Sequence, residues 1–118
     1  MENHKLVLPE HLNHYGYLFG GNLLKWADEM GWIAASKGHP GCNFVTIGMD
    51  KVEFKSSVKE GAILKMEADL KRVGTTSVTY KVSISSESIE TGFNETVFTT
   101  NITFVCVDEE GKKTPISE

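Results

Sequence analysis

Positive charge, cysteine and proline are all scarce in this chain, and each scarcity removes a class of function. Twelve Lys and Arg against 16 Asp and Glu leave a net charge of -4 over 118 residues. A broad nucleic-acid-binding face needs a basic surface, so no nucleic-acid partner is expected. Small anionic ligands remain open, because they need only a few local cations. The two cysteines, Cys42 and Cys106, stand far apart, and no CxxC or Cys/His cluster has ligand spacing, so no metal site is expected. Both read as buried small hydrophobes in a reducing compartment. No stretch approaches the roughly 18 apolar residues of a membrane helix. Met1 to Glu10 lacks a basic start followed by an apolar run, so no secretory signal is expected. The expectation is a cytoplasmic chain without a membrane partner.

What is present is enough for one core. Hydrophobic residues make up 40% of the chain, which fits a single domain over 1–118. Residues 4–8 read as a short strand stopped by Pro9, and 11–21, with three glycines, as a loop. A helix is expected over about 21–37, with Gly38 as its C-cap and Pro40 forbidding continuation. The remainder alternates in the β manner over 43–54, 62–72, 76–88 and 95–107. A change of phase near Gly48–Asp50 suggests a bulge. Turns at Glu60-Gly61, Val73-Gly74, Thr91-Gly92 and Glu109–Gly111 favour antiparallel neighbours. One helix on such a sheet is an α+β arrangement. The strands are long for so small a domain, and their free edges argue for dimerisation through the sheet.

The helix carries a misplaced carboxylate. At about 100° per residue, Lys25, Glu29 and Ser36 share one narrow polar strip, and most of the remaining circumference is apolar or small. Trp26 and Trp32 read as core or interface anchors. Asp28 falls between Ala35 and Trp32 on the wheel. Burying a carboxylate costs several kcal/mol unless it is paired. The wheel alone leaves two readings of Asp28 even: solvated at the strip edge, or functional. Before the helix stand Gly20 and Gly21, where bare N–H groups and the helix dipole suit a developing oxyanion.

The ordered set of segments resembles the acyl-CoA hydrolase branch of the hotdog-fold thioesterases. It comprises Asn13-His14-Tyr15-Gly16-Tyr17-Leu18-Phe19-Gly20-Gly21, Leu23–Glu29, Val45-Thr46, Asp50–Phe54, Val73–Ser77 and Phe104–Lys112. The resemblance implies a long helix wrapped by a curved antiparallel sheet, with sheets joined edge to edge in a homodimer and active sites between subunits. Tetramer or hexamer stays open. It implies hydrolysis of acyl-CoA thioesters, with coenzyme A as part of the substrate and no other cofactor. Asp28 becomes the catalytic carboxylate, as general base or nucleophile, and Gly21 an oxyanion donor. Asn13, His14, Gly16, Tyr17, Gly20 and Thr46 become substrate contacts, with Tyr17 shaping the acyl pocket. Lys71, Arg72, Gly74, Thr75 and Ser77 become the hold on the coenzyme. Thr75 stands where relatives often carry Arg, so Lys71 and Arg72 take the phosphate role. The chain also stops at Glu118, where relatives often continue, which would leave the coenzyme site more open.

Two rivals share the fold: a non-catalytic acyl-CoA sensor, which would not need Asp28, and a dehydratase. The dehydratase needs a His paired with a carboxylate, and no Pro-Gly-His segment is present. No GxSxG elbow supports Ser77 as a nucleophile.

Overall fold

The computed structural model describes residues 1–116; Ser117 and Glu118, the end of the expected 1–118 domain, lie outside the described residues. The helix α1 runs from Gly20 to Gly38 and buries Leu23, Trp26, Ala27, Met30, Gly31, Ala34 and Ala35. Their spacing of three and four residues makes one continuous stripe. That stripe lies on a five-stranded antiparallel sheet: β1 (Glu2–Leu6), β2 (Asn43–Phe54), β3 (Ile63–Val73), β4 (Ser77–Glu87) and β5 (Asn94–Val107), in the order β1-β3-β4-β5-β2. Leu64, Met66, Val78, Val82, Ile84, Phe98, Ile102 and Phe104 face it and are buried. Each such side chain contributes about 1.5–3 kcal/mol on burial. Among the described residues, no helix is long and apolar enough to cross a membrane.

Several expectations are corrected. The first strand lies two residues earlier than 4–8, because Val7 turns inward and is buried. Gly38 is the last helical residue rather than a left-handed cap; the His39 N–H closes the helix on the Ala35 carbonyl, and the left-handed glycine is Gly41, at φ 94°. Gly38 serves a different need, since a Cβ there would stand 3.0 Å from the Tyr80 hydroxyl. Most consequential, β2 and β3 are not neighbours. The segment joining them passes under the loop before the helix, where buried Val58 accepts the Leu18 N–H at 2.8 Å. This crossing leaves β2 at the sheet edge, paired only with β5.

The cysteines are corrected too. Antiparallel pairing sets Phe44 opposite Cys106, and Cys42 arrives from the preceding turn. A disulfide joins Cys42 to Cys106, with their Cα atoms 5.3 Å apart. The two are not separate thiols, because β2 and β5 are far apart in sequence yet adjacent in the sheet.

The bulge expected in β2 is present, and it is double. Register slips between Thr46 and Gly48 and again between Asp50 and Glu53, where Lys51 takes φ 50°. The extra residues twist the edge strand. Val45, Ile47, Val52 and Phe54 are left exposed along it.

Gly31 tests how tightly helix and sheet meet. A Cβ there would lie 2.9 Å from the fully buried Phe104 ring. Overpacking costs about 1–3 kcal/mol, against about 1 kcal/mol gained in helix propensity. Gly31→Ala is therefore expected to lower the stability by up to about 2 kcal/mol, seen as a lower urea midpoint at unchanged m-value. A raised midpoint would show slack in this contact.

Candidate active site

Asp28 and Thr46 meet across the gap between α1 and the edge strand. The Thr46 hydroxyl donates to Asp28 Oδ1 at 2.7 Å, the short separation of a hydrogen bond to a carboxylate. Asp28 is half-buried, and its second oxygen has no protein partner among the described hydrogen bonds. One turn further along the helix, the Trp32 Nε1–H donates to the Phe44 carbonyl at 3.0 Å. These two bonds tie helix to strand. Between them opens a cleft of about 390 Å³ lined by Asp28, Glu29, Trp32, Ile33 and Thr46. Trp32 is 46% exposed there. Glu29 is exposed, as its place in the polar strip requires.

The loop before the helix is built around Asn13. Its Oδ1 accepts the Tyr15 and Tyr17 N–H groups at 2.9 and 3.2 Å, and its own N–H donates to the Tyr17 carbonyl at 2.7 Å. Gly16, at φ 85°, closes this turn in a conformation that favours glycine. Phe19 at the helix start gives no side-chain cap; its carbonyl accepts the Asn22 N–H at 3.0 Å, which leaves the Gly20 and Gly21 N–H groups without a partner among the described hydrogen bonds. Gly21 is exposed, and a Cβ there would meet nothing within 4 Å. Internal packing therefore does not require glycine at 21. Gly20 differs: a Cβ there would stand 3.0 Å from the Phe54 ring. Asn13, Tyr17, Gly20, Leu23, Phe54 and Lys55 line a second cleft, of about 630 Å³.

Asp28 and Gly20 thus line different clefts, Gly21 lines neither, and seven residues of helix separate Gly21 from Asp28 by about 10 Å along the axis. Within one chain they do not converge. Tyr17 pairs with Lys59, whose Nζ stands 5.9 Å from its ring. His14 is exposed and stacks on Tyr15 at 4.0 Å. The hairpin Gly74–Ser77 is closed by the Gly74 N–H on the Ser77 carbonyl at 2.7 Å. Thr75 is exposed and accepts the Ile116 N–H at 2.9 Å. This hairpin lies at the same end of the sheet as Thr46, which pairs through Phe104 to Val78. Lys71 is not gathered with Asp28; it shares a hollow of about 150 Å³ with Lys51 and Lys81. Arg72 is exposed near the C-terminal end of β3, beside the Gly74–Ser77 hairpin. Among the described residues, no three His, Cys, Asp or Glu side chains form a metal-holding group. Sequence reasoning missed the role of Trp32 in this cleft and the ring of Phe54 over the helix start. The available signal was Trp32's position one turn after Asp28.

Residues 15–93 match the family model described as the thioesterase superfamily. The chain belongs to the thioesterase superfamily. It is 33% identical over 110 residues to an uncharacterised acyl-CoA thioester hydrolase of Bacillus subtilis, covering 93% of this chain and 63% of that protein. It thus spans less than two thirds of that relative's length. It is similar to the acyl-CoA hydrolase of Staphylococcus aureus solved with butyryl coenzyme A, at 32% identity and TM-score 0.90, covering 98% of this chain and 70% of the other. It also resembles a hexameric hotdog-fold thioesterase of Campylobacter jejuni, at 35% identity and TM-score 0.86, covering 98% and 88%. The fold of this superfamily member is the hotdog fold: one long helix against a five-stranded antiparallel sheet.

Proposed function

We propose that this chain hydrolyses acyl-CoA thioesters in a site completed by a second copy of itself. The observation that carries the reading is the Asp28–Thr46 pair, a carboxylate held by a hydroxyl in a cleft that Trp32 and Ile33 also line. The Staphylococcus aureus hydrolase has been solved as separate variants with an aspartate, a threonine or an asparagine changed to alanine. Asp28, Thr46 and Asn13 supply the same three residue types here. Oligomeric relatives, including the hexameric one, support assembly.

Pairing of two copies follows from the edge. Thr46 and Phe54 flank the exposed strand β2 at equal sequence distance from Asp50. Antiparallel joining of two β2 edges centred there sets Thr46 of one copy against Phe54 of the partner subunit. The Asp28 cleft then faces the partner's helix start and its Gly21. The N–H groups there, at the positive end of the helix dipole, would polarise the thioester carbonyl. With Oδ1 engaged by Thr46, the other Asp28 oxygen takes the proton of an attacking water. The tetrahedral intermediate expels the coenzyme thiolate, which receives that proton, leaving free acid and thiol. Direct attack by Asp28, forming an anhydride that water then opens, uses the same atoms. Lys71, Arg72 and the Gly74–Ser77 hairpin remain the proposed hold on the coenzyme, and His14, Gly16 and Tyr17 of the loop the proposed contacts to the thioester, with Tyr17 shaping the acyl pocket.

Thiol release from a panel of acyl-CoA esters tests the reading. Wild-type protein is expected to liberate thiol, with specific activity falling on dilution as subunits separate. Binding of the esters without thiol release at any chain length would make this a ligand-binding member of the fold instead.

A further inference from the structure

We propose that the acyl arm of the thioester, rather than its coenzyme A arm, lies on Trp32 and Ile33, and that Trp32 sets the accepted acyl length. This deepens the hydrolase reading and rests on it. Trp32 has spent its one polar group inward on the Phe44 carbonyl, so its exposed surface is the apolar ring, held at a fixed angle. Asp28 stands one turn back, about 6 Å along the axis. Thr46 and Ile33 line the same cleft. A thioester carbonyl that reaches Asp28 must send one of its two arms across this floor.

Charge decides which arm. The ionisable groups lining the cleft are Asp28 and Glu29, with no cation among them. Lys25, exposed on the helix surface, lies outside the lining. Within the same chain, Lys55 and Lys71 line other hollows. The phosphates of the coenzyme would meet two carboxylates of this chain here, whereas an alkyl chain meets no like charge and gains by leaving water. A side chain of a second copy filling the cleft would cover Asp28 and Thr46 and shut out the reacting carbonyl.

The test is kcat/KM for straight-chain esters from acetyl to octanoyl, on coenzyme A and on N-acetylcysteamine, which keeps the thioester and lacks the nucleotide. Removing a methylene from water is worth about fourfold. Trp32→Ala is expected to lower the octanoyl-to-acetyl ratio by about 10-fold or more, by the same factor on both thiols. Trp32→Phe should recover most of the ratio. Ile33→Glu, which leaves the Trp32–Phe44 bond intact, should lower it as well. A uniform loss at every chain length would overturn the proposal. So would a loss seen with coenzyme A esters and absent with N-acetylcysteamine esters, which would place the nucleotide arm on Trp32. Wild-type protein inert toward every ester on both thiols would instead remove the hydrolase reading, and this proposal with it.

Discussion

Asp28→Asn is expected to cut kcat by about 10²–10⁴, the usual worth of a positioned general base, with KM little changed. The substitution keeps the shape of the side chain, and the Thr46 hydroxyl can still donate to the amide oxygen as it does to Oδ1. Only the capacity to take a proton, or to attack, is removed. An interaction used in the transition state and not in substrate binding lowers kcat and kcat/KM together. Thr46→Ala leaves the carboxylate but frees its rotation. A loss of about 10-fold is expected there, since misplacing a catalytic group costs less than deleting it. Both variants should stay folded, because Asp28 is only half-buried and Thr46 is exposed. Single-turnover thiol release, with circular dichroism as the folding control, separates these outcomes. Retention of more than a tenth of wild-type kcat by Asp28→Asn would remove Asp28 from the chemistry.

The second large effect concerns stability. The Cys42–Cys106 bond closes a chain separation of 64 residues. On loop-closure entropy that restricts the unfolded chain by about 4 kcal/mol. A domain of this size then loses roughly 10 °C or more in Tm when the bond is opened. The stabilisation acts largely through the unfolded state: β2 and β5 remain paired at Phe44 and Cys106 without it, and the folded contacts barely change. Calorimetry with and without a dithiol is expected to show this drop in the native protein. The Cys42→Ala/Cys106→Ala variant should melt at the lower temperature under both conditions. Its urea m-value should rise, because the uncrosslinked chain exposes more surface when unfolded. An identical Tm with and without dithiol in the native protein would show that the bond contributes nothing.

The helix and the four long strands were legible because their signals are local. The three-and-four spacing of Leu23, Trp26, Ala27, Met30 and Ala34 announces a buried helical face, and the alternation Val78, Tyr80, Val82, Ile84 announces a strand with one face inside. The phase change around Gly48 announced the first bulge of β2. Gly38 was misread because a glycine after a helix usually turns left-handed, whereas here it makes room for the Tyr80 hydroxyl. The Tyr80 hydroxyl donates to the Ala34 carbonyl, 3.4 Å away, and burial pushes it above its ordinary pKa. Tyr80 and Gly38 approach only after the helix has docked.

By itself the sequence determined one domain, one helix, the β strands after it, a carboxylate on an otherwise apolar helix and a glycine-marked helix start. Each follows from periodicity or backbone preference acting over a few residues. The tertiary structure alone decided that β2 pairs with β5 and not β3, and so lies at the edge. It also joined Cys42 to Cys106, brought the Thr46 hydroxyl to Asp28 and turned the Trp32 ring outward with its N–H inward. Those outcomes depend on strand order and on how two bulges shift the pairing. Such contacts join distant residues, and their register is set by the packing of the whole sheet against the helix.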